Sequence, residues 1–108
     1  MGDTIQELYD VILKRKTEGE EGSYTKYLFE KGTDKILKKV GEECTEVIIS
    51  CKEDNKEDQI SEICDLTYHV LVLMAQLGIS VEEVSAELET RKNKINNFKG
   101  ERKPVDNV

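Results

Sequence analysis

The sequence predicts an all-α protein, an antiparallel helical bundle of four to five helices completed by dimerisation. Apolar residues recur at helical spacing in each long segment. The composition, with one Pro, no Trp and 36% charged residues, is that of a helical protein rather than a sandwich or barrel. The segment 57–77 is apolar nearly all round, and the rest of a 108-residue chain is too little to cover it.

Residues 3–18 carry Ile5, Leu8, Tyr9, Ile12 and Leu13 on one face, with Asp3 or Thr4 as a cap. Residues 18–24 hold two glycines and three glutamates and read as an exposed loop. Thr25 to Lys31 suits a short helix stopped by Gly32, and Thr33–Asp34 can cap the next one. That third helix spans about 34–53, with Ile36, Leu37, Val40, Cys44, Val47, Ile48 and Cys51 along one stripe.

The polar segment 53–56 breaks the pattern before a fourth helix of about 57–77, which Gly78 ends. Ile60, Ile63, Leu66, Val70, Met74 and Leu77 form its main stripe, and Cys64, Tyr68, Leu71, Val72 and Leu73 extend apolar character around the rest. Part of this helix is therefore expected to face a second copy of the chain. Ser80 and Glu83 form a capping-box pattern for a last helix of about 80–96. Residues 1–97 read as one domain, and the tail 98–108 is expected to be flexible.

The net charge of −7 repels nucleic acid and anionic lipid, so neither is expected as a partner. Cys44, Cys51 and Cys64 are odd in number and form no CxxC pair; they read as small buried apolar residues in a reducing compartment. The chain begins without a basic, apolar leader, and no uninterrupted apolar run reaches 18 residues. The expectation is a cytoplasmic protein outside the membrane.

Two pairs of carboxylates stand out. Glu43 and Glu46 lie three residues apart at the margin of the third helix's stripe, preceded by Glu42; Glu62 and Asp65 do the same on the fourth, with His69 on the same edge. In an antiparallel hairpin turning near Asp54, Glu46 comes level with Glu62 and Glu43 with Asp65, within about 12–17 Å of the turn. Four carboxylates at one spot repel one another, and a divalent cation removes that cost. An all-oxygen set favours Mg²⁺ or Mn²⁺ over Zn²⁺. A di-iron bundle wants two Glu-x-x-His motifs, and this chain has one His. Surface glutamates at this spacing are common in a chain with 23 acidic residues; the matching register distinguishes these.

Lys35 and Lys39 share the flank of Glu43 and Glu46. They can hold phosphate oxygens beside a metal, or pair with Glu42 and Glu43 as ordinary helix ion pairs. His69 can touch a substrate, order Asp65 one turn earlier, or sit as a hydrogen-bonded histidine at the core margin. Tyr24 and Tyr27 suit packing as well as base stacking.

Together these motifs resemble a known family. Glu42-Glu43-x-x-Glu46 followed by Glu62-x-x-Asp65 is similar to the motif of the all-α, MazG-type nucleoside triphosphate pyrophosphohydrolases. Ser23-Tyr24-Thr25, Leu28-Phe29, Gly32, Lys35-Ile36, Lys39-Val40-Gly41 and Asp65-Leu66-x-Tyr68-His69 narrow the resemblance to the phosphoribosyl-ATP pyrophosphohydrolase family, over about residues 3–95. The resemblance implies hydrolysis of phosphoribosyl-ATP to phosphoribosyl-AMP and pyrophosphate, an early step of histidine biosynthesis. It implies Mg²⁺ ligands at Glu43, Glu46, Glu62 and Asp65, and a role for Glu42 in orienting or deprotonating the attacking water. It further implies phosphate contacts from Lys35 and Lys39, and a homodimer. Cys44 stands where the family often has Ala. Two other readings remain at this level: a related enzyme of (deoxy)nucleoside triphosphates, and a non-catalytic helical dimerisation module.

Overall fold

The computed structural model describes residues 2–94. Five helices follow one another: α1 (Gly2–Glu18), α2 (Tyr24–Lys31), α3 (Thr33–Cys51), α4 (Lys56–Leu77) and α5 (Val81–Lys92). No strand occurs among the described residues. The all-α expectation holds, and each helix falls within a few residues of its expected span. The expected tail, 98–108, lies outside the described residues.

Local chemistry sets the joints. Ser23 caps α2, its hydroxyl accepting from the Lys26 N–H, and Asn55 caps α4 by accepting from the Asp58 N–H. Ser80 and Glu83 form the expected capping box. Two other caps differ from expectation. Helix α1 begins at Gly2, so Asp3 and Thr4 lie inside its first turn. Gly32 takes the N-cap position of α3 with no side-chain bond, while the Thr33 hydroxyl accepts from Gln76 Nε2 at 3.0 Å. Gly32 has φ 90° and ψ −174°, a region that costs any residue with a Cβ, and this sharp joint sets α2 across α3.

The core is built from Tyr9, Ile12, Leu28, Ile36, Leu71, Val72 and Ala75, drawn from the first four helices. The most extensive packing is between α3 and α4. Helix α1 is tied to the far end of α4, where the Tyr9 hydroxyl donates to the Ile79 carbonyl and Lys16 Nζ to that of Ala75. Helix α5 buries none of its residues.

Helix α4 departs from expectation in which face it buries. Leu71, Val72, Ala75 and His69 are buried within the chain, whereas Ile60, Ile63, Val70 and Leu77 of the main stripe are exposed. On α3, Leu37, Ile48 and Ile49 are exposed as well. The three cysteines, expected to be buried, are exposed too. The reason is common to all of them: the apolar surface of the α3–α4 hairpin is wider than α1 and α2 cover. Helix α4 has the length and composition of a membrane span. It carries Glu62 and Asp65 within its apolar stretch, however, and packs against α1 and α3.

Candidate metal and phosphate site

The α3–α4 hairpin brings three of the four expected carboxylates together. One oxygen from each of Glu43, Glu62 and Asp65 lies within 4.8 Å of the others. Antiparallel pairing about the 52–55 turn produces this, because Glu43 on α3 comes level with Asp65 on α4, and Glu62 stands one turn before Asp65. Glu46 is exposed and outside this group, but its charge reaches Glu62. Partial desolvation, followed by the charges of Asp65, Glu46, Glu43 and Asp58, pushes the Glu62 carboxyl above the usual range. The cluster is thus under like-charge stress, and its all-oxygen donor set suits a hard divalent cation.

Cations stand on one side of the cluster. Lys39 Nζ lies 3.7 Å from Glu43, with side-chain exposures of 25% and 13%. Burial works against the Lys39 charge, but Tyr24, Glu42 and Glu43 outweigh it and hold the ammonium above its ordinary value. Lys35, one turn earlier, is half-buried and forms no ion pair among the described residues. Glu42 is exposed, and its charge is felt at both Lys39 and Tyr24. Of the two roles envisaged for Lys39, the ion pair with Glu43 is the one present in the structure.

His69 is buried, at 6% exposure. Its Nδ1 lies 2.7 Å from the Asp65 carbonyl, and its Nε2 lies 2.7 Å from the Tyr24 hydroxyl. Beside it, the Thr25 and Tyr68 hydroxyls share a hydrogen bond. Tyr24 is 45% exposed. Burial of its hydroxyl raises its pKa, against the lowering pull of Lys39. Tyr24 and His69 were separate candidates in the sequence. Their contact, and the part played by Thr25 and Tyr68, spans more than 40 residues and has no local signal.

The structure is thus an all-α hairpin with three carboxylates clustered on facing helices and Lys39 paired to one of them, a donor set that would suit a hard divalent cation and the hydrolysis of a phosphate anhydride. Comparison with known proteins gives the particular family. A model described as phosphoribosyl-ATP pyrophosphohydrolase matches residues 5–92. The chain is 58% identical to a protein of Clostridium acetobutylicum and 55% identical to one of Clostridium novyi, each over 98% of this chain and 96% of the relative. It is 54% identical to one of Listeria welshimeri, over 96% of this chain and 99% of the relative. All three are named phosphoribosyl-ATP pyrophosphatase. The chain belongs to the phosphoribosyl-ATP pyrophosphohydrolase family.

Proposed function

We propose that this protein hydrolyses phosphoribosyl-ATP to phosphoribosyl-AMP and pyrophosphate, a step of histidine biosynthesis, with Mg²⁺ held by Glu43, Glu62 and Asp65 and assisted by Glu46. The convergence of Glu43, Glu62 and Asp65, in a chain of this family, carries the reading. Mn²⁺ suits the same oxygen set. When bound, the ion supplies Lewis-acid charge and acidifies coordinated water.

The chain's own residues do the rest. Glu42, exposed and next to Glu43 in the sequence, orients a water and takes its proton on this reading. That water's oxygen joins the α-phosphorus as the bond to the bridging oxygen breaks and pyrophosphate leaves. Lys39 is held charged beside Glu43, and its ammonium transfers from that carboxylate to a phosphate oxygen as substrate enters. Lys35 adds a second positive charge one turn away.

The exposed seam of Ile60, Ile63, Val70 and Leu77, joined by Ile48 and Ile49 of α3, supports a homodimer in which this face packs against its copy. Exposed, unbonded thiols at Cys44, Cys51 and Cys64 fit the reducing cytoplasm.

The experiment is a substrate panel in Mg²⁺. Phosphoribosyl-ATP, ATP and the deoxynucleoside triphosphates are each assayed for pyrophosphate. Release chiefly from phosphoribosyl-ATP is expected. Preference for a deoxynucleoside triphosphate would move the protein to the related house-cleaning class, and release from none would leave a non-catalytic dimer.

A further inference from the structure

Tyr24 and Tyr27 form an exposed aromatic surface that the chemistry above does not use. Their ring centroids are 6.3 Å apart and their planes 25° from parallel. They are 45% and 40% exposed, well above the level of packing residues. Both line an open hollow of about 590 Å³, together with Lys26 and Glu30. A wide, open hollow walled by two near-parallel rings suits a planar, uncharged group such as a nucleobase, which stacks on any aromatic face.

Tyr24 also connects this hollow to the carboxylate cluster. Its ring lines the hollow while its hydroxyl reaches back to His69, and His69 in turn bonds the backbone of Asp65. The direction of these bonds follows from the acceptors. A carbonyl oxygen only accepts, so His69 Nδ1 donates to Asp65; in the neutral ring Nε2 then offers only a lone pair, and the Tyr24 hydroxyl donates to it. Both ring nitrogens are used, and the imidazole sits edge-on to the Tyr24 ring, 5.6 Å between centroids and 75° between planes. An otherwise exposed tyrosine at the first turn of a short helix is thereby held in one orientation at the margin of the cluster.

We infer that Tyr24, with Tyr27, is the platform on which the substrate's purine base stacks, and that His69 is a positioning residue that fixes the Tyr24 ring. This rests on the function proposed above and identifies the part of the site that reads the base. A nucleotide whose α-phosphate lies at the cluster carries its base one ribose away, and Tyr24 stands close enough to the cluster for Lys39 and Glu43 to act on its hydroxyl. His69 touches no substrate; it acts through Tyr24.

The test compares wild type with Tyr24→Leu, Tyr24→Phe, His69→Gln and the Tyr24→Phe/His69→Gln double variant. Each is checked for helicity by circular dichroism. KM and kcat for phosphoribosyl-ATP are measured, together with equilibrium binding of AMP and of inorganic pyrophosphate by calorimetry in Mg²⁺. Base–aromatic stacking gives a loss of roughly 5- to 150-fold on removal of a ring. Tyr24→Leu is expected to weaken AMP binding and raise KM by about ten-fold, the low end for an exposed ring. Pyrophosphate affinity stays within two-fold, and kcat falls less than KM rises. Tyr24→Phe keeps the ring and loses the hydrogen bond, so it should cost less than Tyr24→Leu. His69→Gln should match it, and the double variant should be no worse than either single one.

Equal losses of AMP and pyrophosphate affinity in Tyr24→Leu would assign Tyr24 to the phosphates and overturn the inference. So would wild-type AMP affinity in that variant, or additive effects in the double variant. If wild type releases no pyrophosphate from phosphoribosyl-ATP, the proposed reaction fails by itself. The AMP and pyrophosphate titrations then still decide whether Tyr24 holds a base.

Discussion

Replacing Lys39 with methionine separates the two things its ammonium does. Methionine keeps much of the apolar stem and removes the charge. The Lys39–Glu43 contact is 3.7 Å long, so its gross attraction is about 1 kcal/mol in bulk water and about 4 kcal/mol at an effective dielectric of roughly 20. Desolvation and side-chain ordering offset most of this, and a fully exposed i,i+4 pair nets about 0.3–0.5 kcal/mol. The Lys39 pair is better shielded, at 25% and 13% exposure, and its cation also relieves the repulsion among Glu43, Glu62 and Asp65. A net loss of about 1 kcal/mol is therefore expected in metal-free protein. In a domain near 100 residues that lowers the thermal midpoint by about 4–8 °C. Added Mg²⁺ takes over the neutralising role, so the stability difference should shrink to less than half, while KM for phosphoribosyl-ATP stays raised. Calorimetric melts of both proteins in EDTA and in Mg²⁺, together with steady-state kinetics, measure this. An unchanged difference in midpoint with wild-type kinetics would mean that Lys39 makes only an ordinary helix ion pair.

Four further outcomes follow from the same structure. Gly32→Ala forces a Cβ into φ 90° and should cost about 1–3 kcal/mol, read as a lower midpoint; an unchanged midpoint would show that the α2–α3 joint relaxes without strain. Val70→Glu places a charge in the exposed α4 seam, and sedimentation should show monomer where wild type is dimeric; an unaltered distribution would move the interface elsewhere. Glu83 is held below the usual carboxyl range by the hydrogen bonds it shares with Ser80, so the cap's charge-dependent stabilisation is complete above pH 4.5 and is lost as pH falls through the lowered value; Ser80→Ala should flatten that part of an acid-unfolding curve. The charge of Lys39 is favoured in the fold, so its contribution persists below pH 10.5 and disappears as pH rises through the raised value; at alkaline pH the midpoints of wild type and Lys39→Met should converge.

Much of this was legible in the sequence because helices express their pattern locally. The α4 terminator Gly78, the Ser80–Glu83 capping box and the stripe of α1 are signals within one or two turns. The carboxylate register was also readable, since a tight antiparallel hairpin ties position along α3 to position along α4. What periodicity could not supply was which face a neighbour covers. The α4 stripe of Ile60, Ile63, Val70 and Leu77 is as apolar as the buried face, and only the paths of α1 and α2 leave it exposed. The burial expected for the cysteines failed for the same reason. Nor could spacing reveal that Glu46 would stand outside the tightest group: Glu43 and Glu46 lie about 60° apart around α3, and which of them faces α4 more closely depends on the helix packing. The Tyr24–His69 bond joins residues 45 apart and depends on where the fold sets the start of α2 relative to α4.

The central claim is that Glu43, Glu62 and Asp65 together hold a divalent ion on which hydrolysis depends. The most direct measurement is the rate of pyrophosphate release from phosphoribosyl-ATP as free Mg²⁺ is varied, for wild type and Glu62→Gln. Wild type should be silent in EDTA and rise to saturation with Mg²⁺, whereas Glu62→Gln should need far more Mg²⁺ and reach only a small fraction of the rate. Turnover that survives EDTA, or a Glu62→Gln curve superimposed on wild type, would contradict the account.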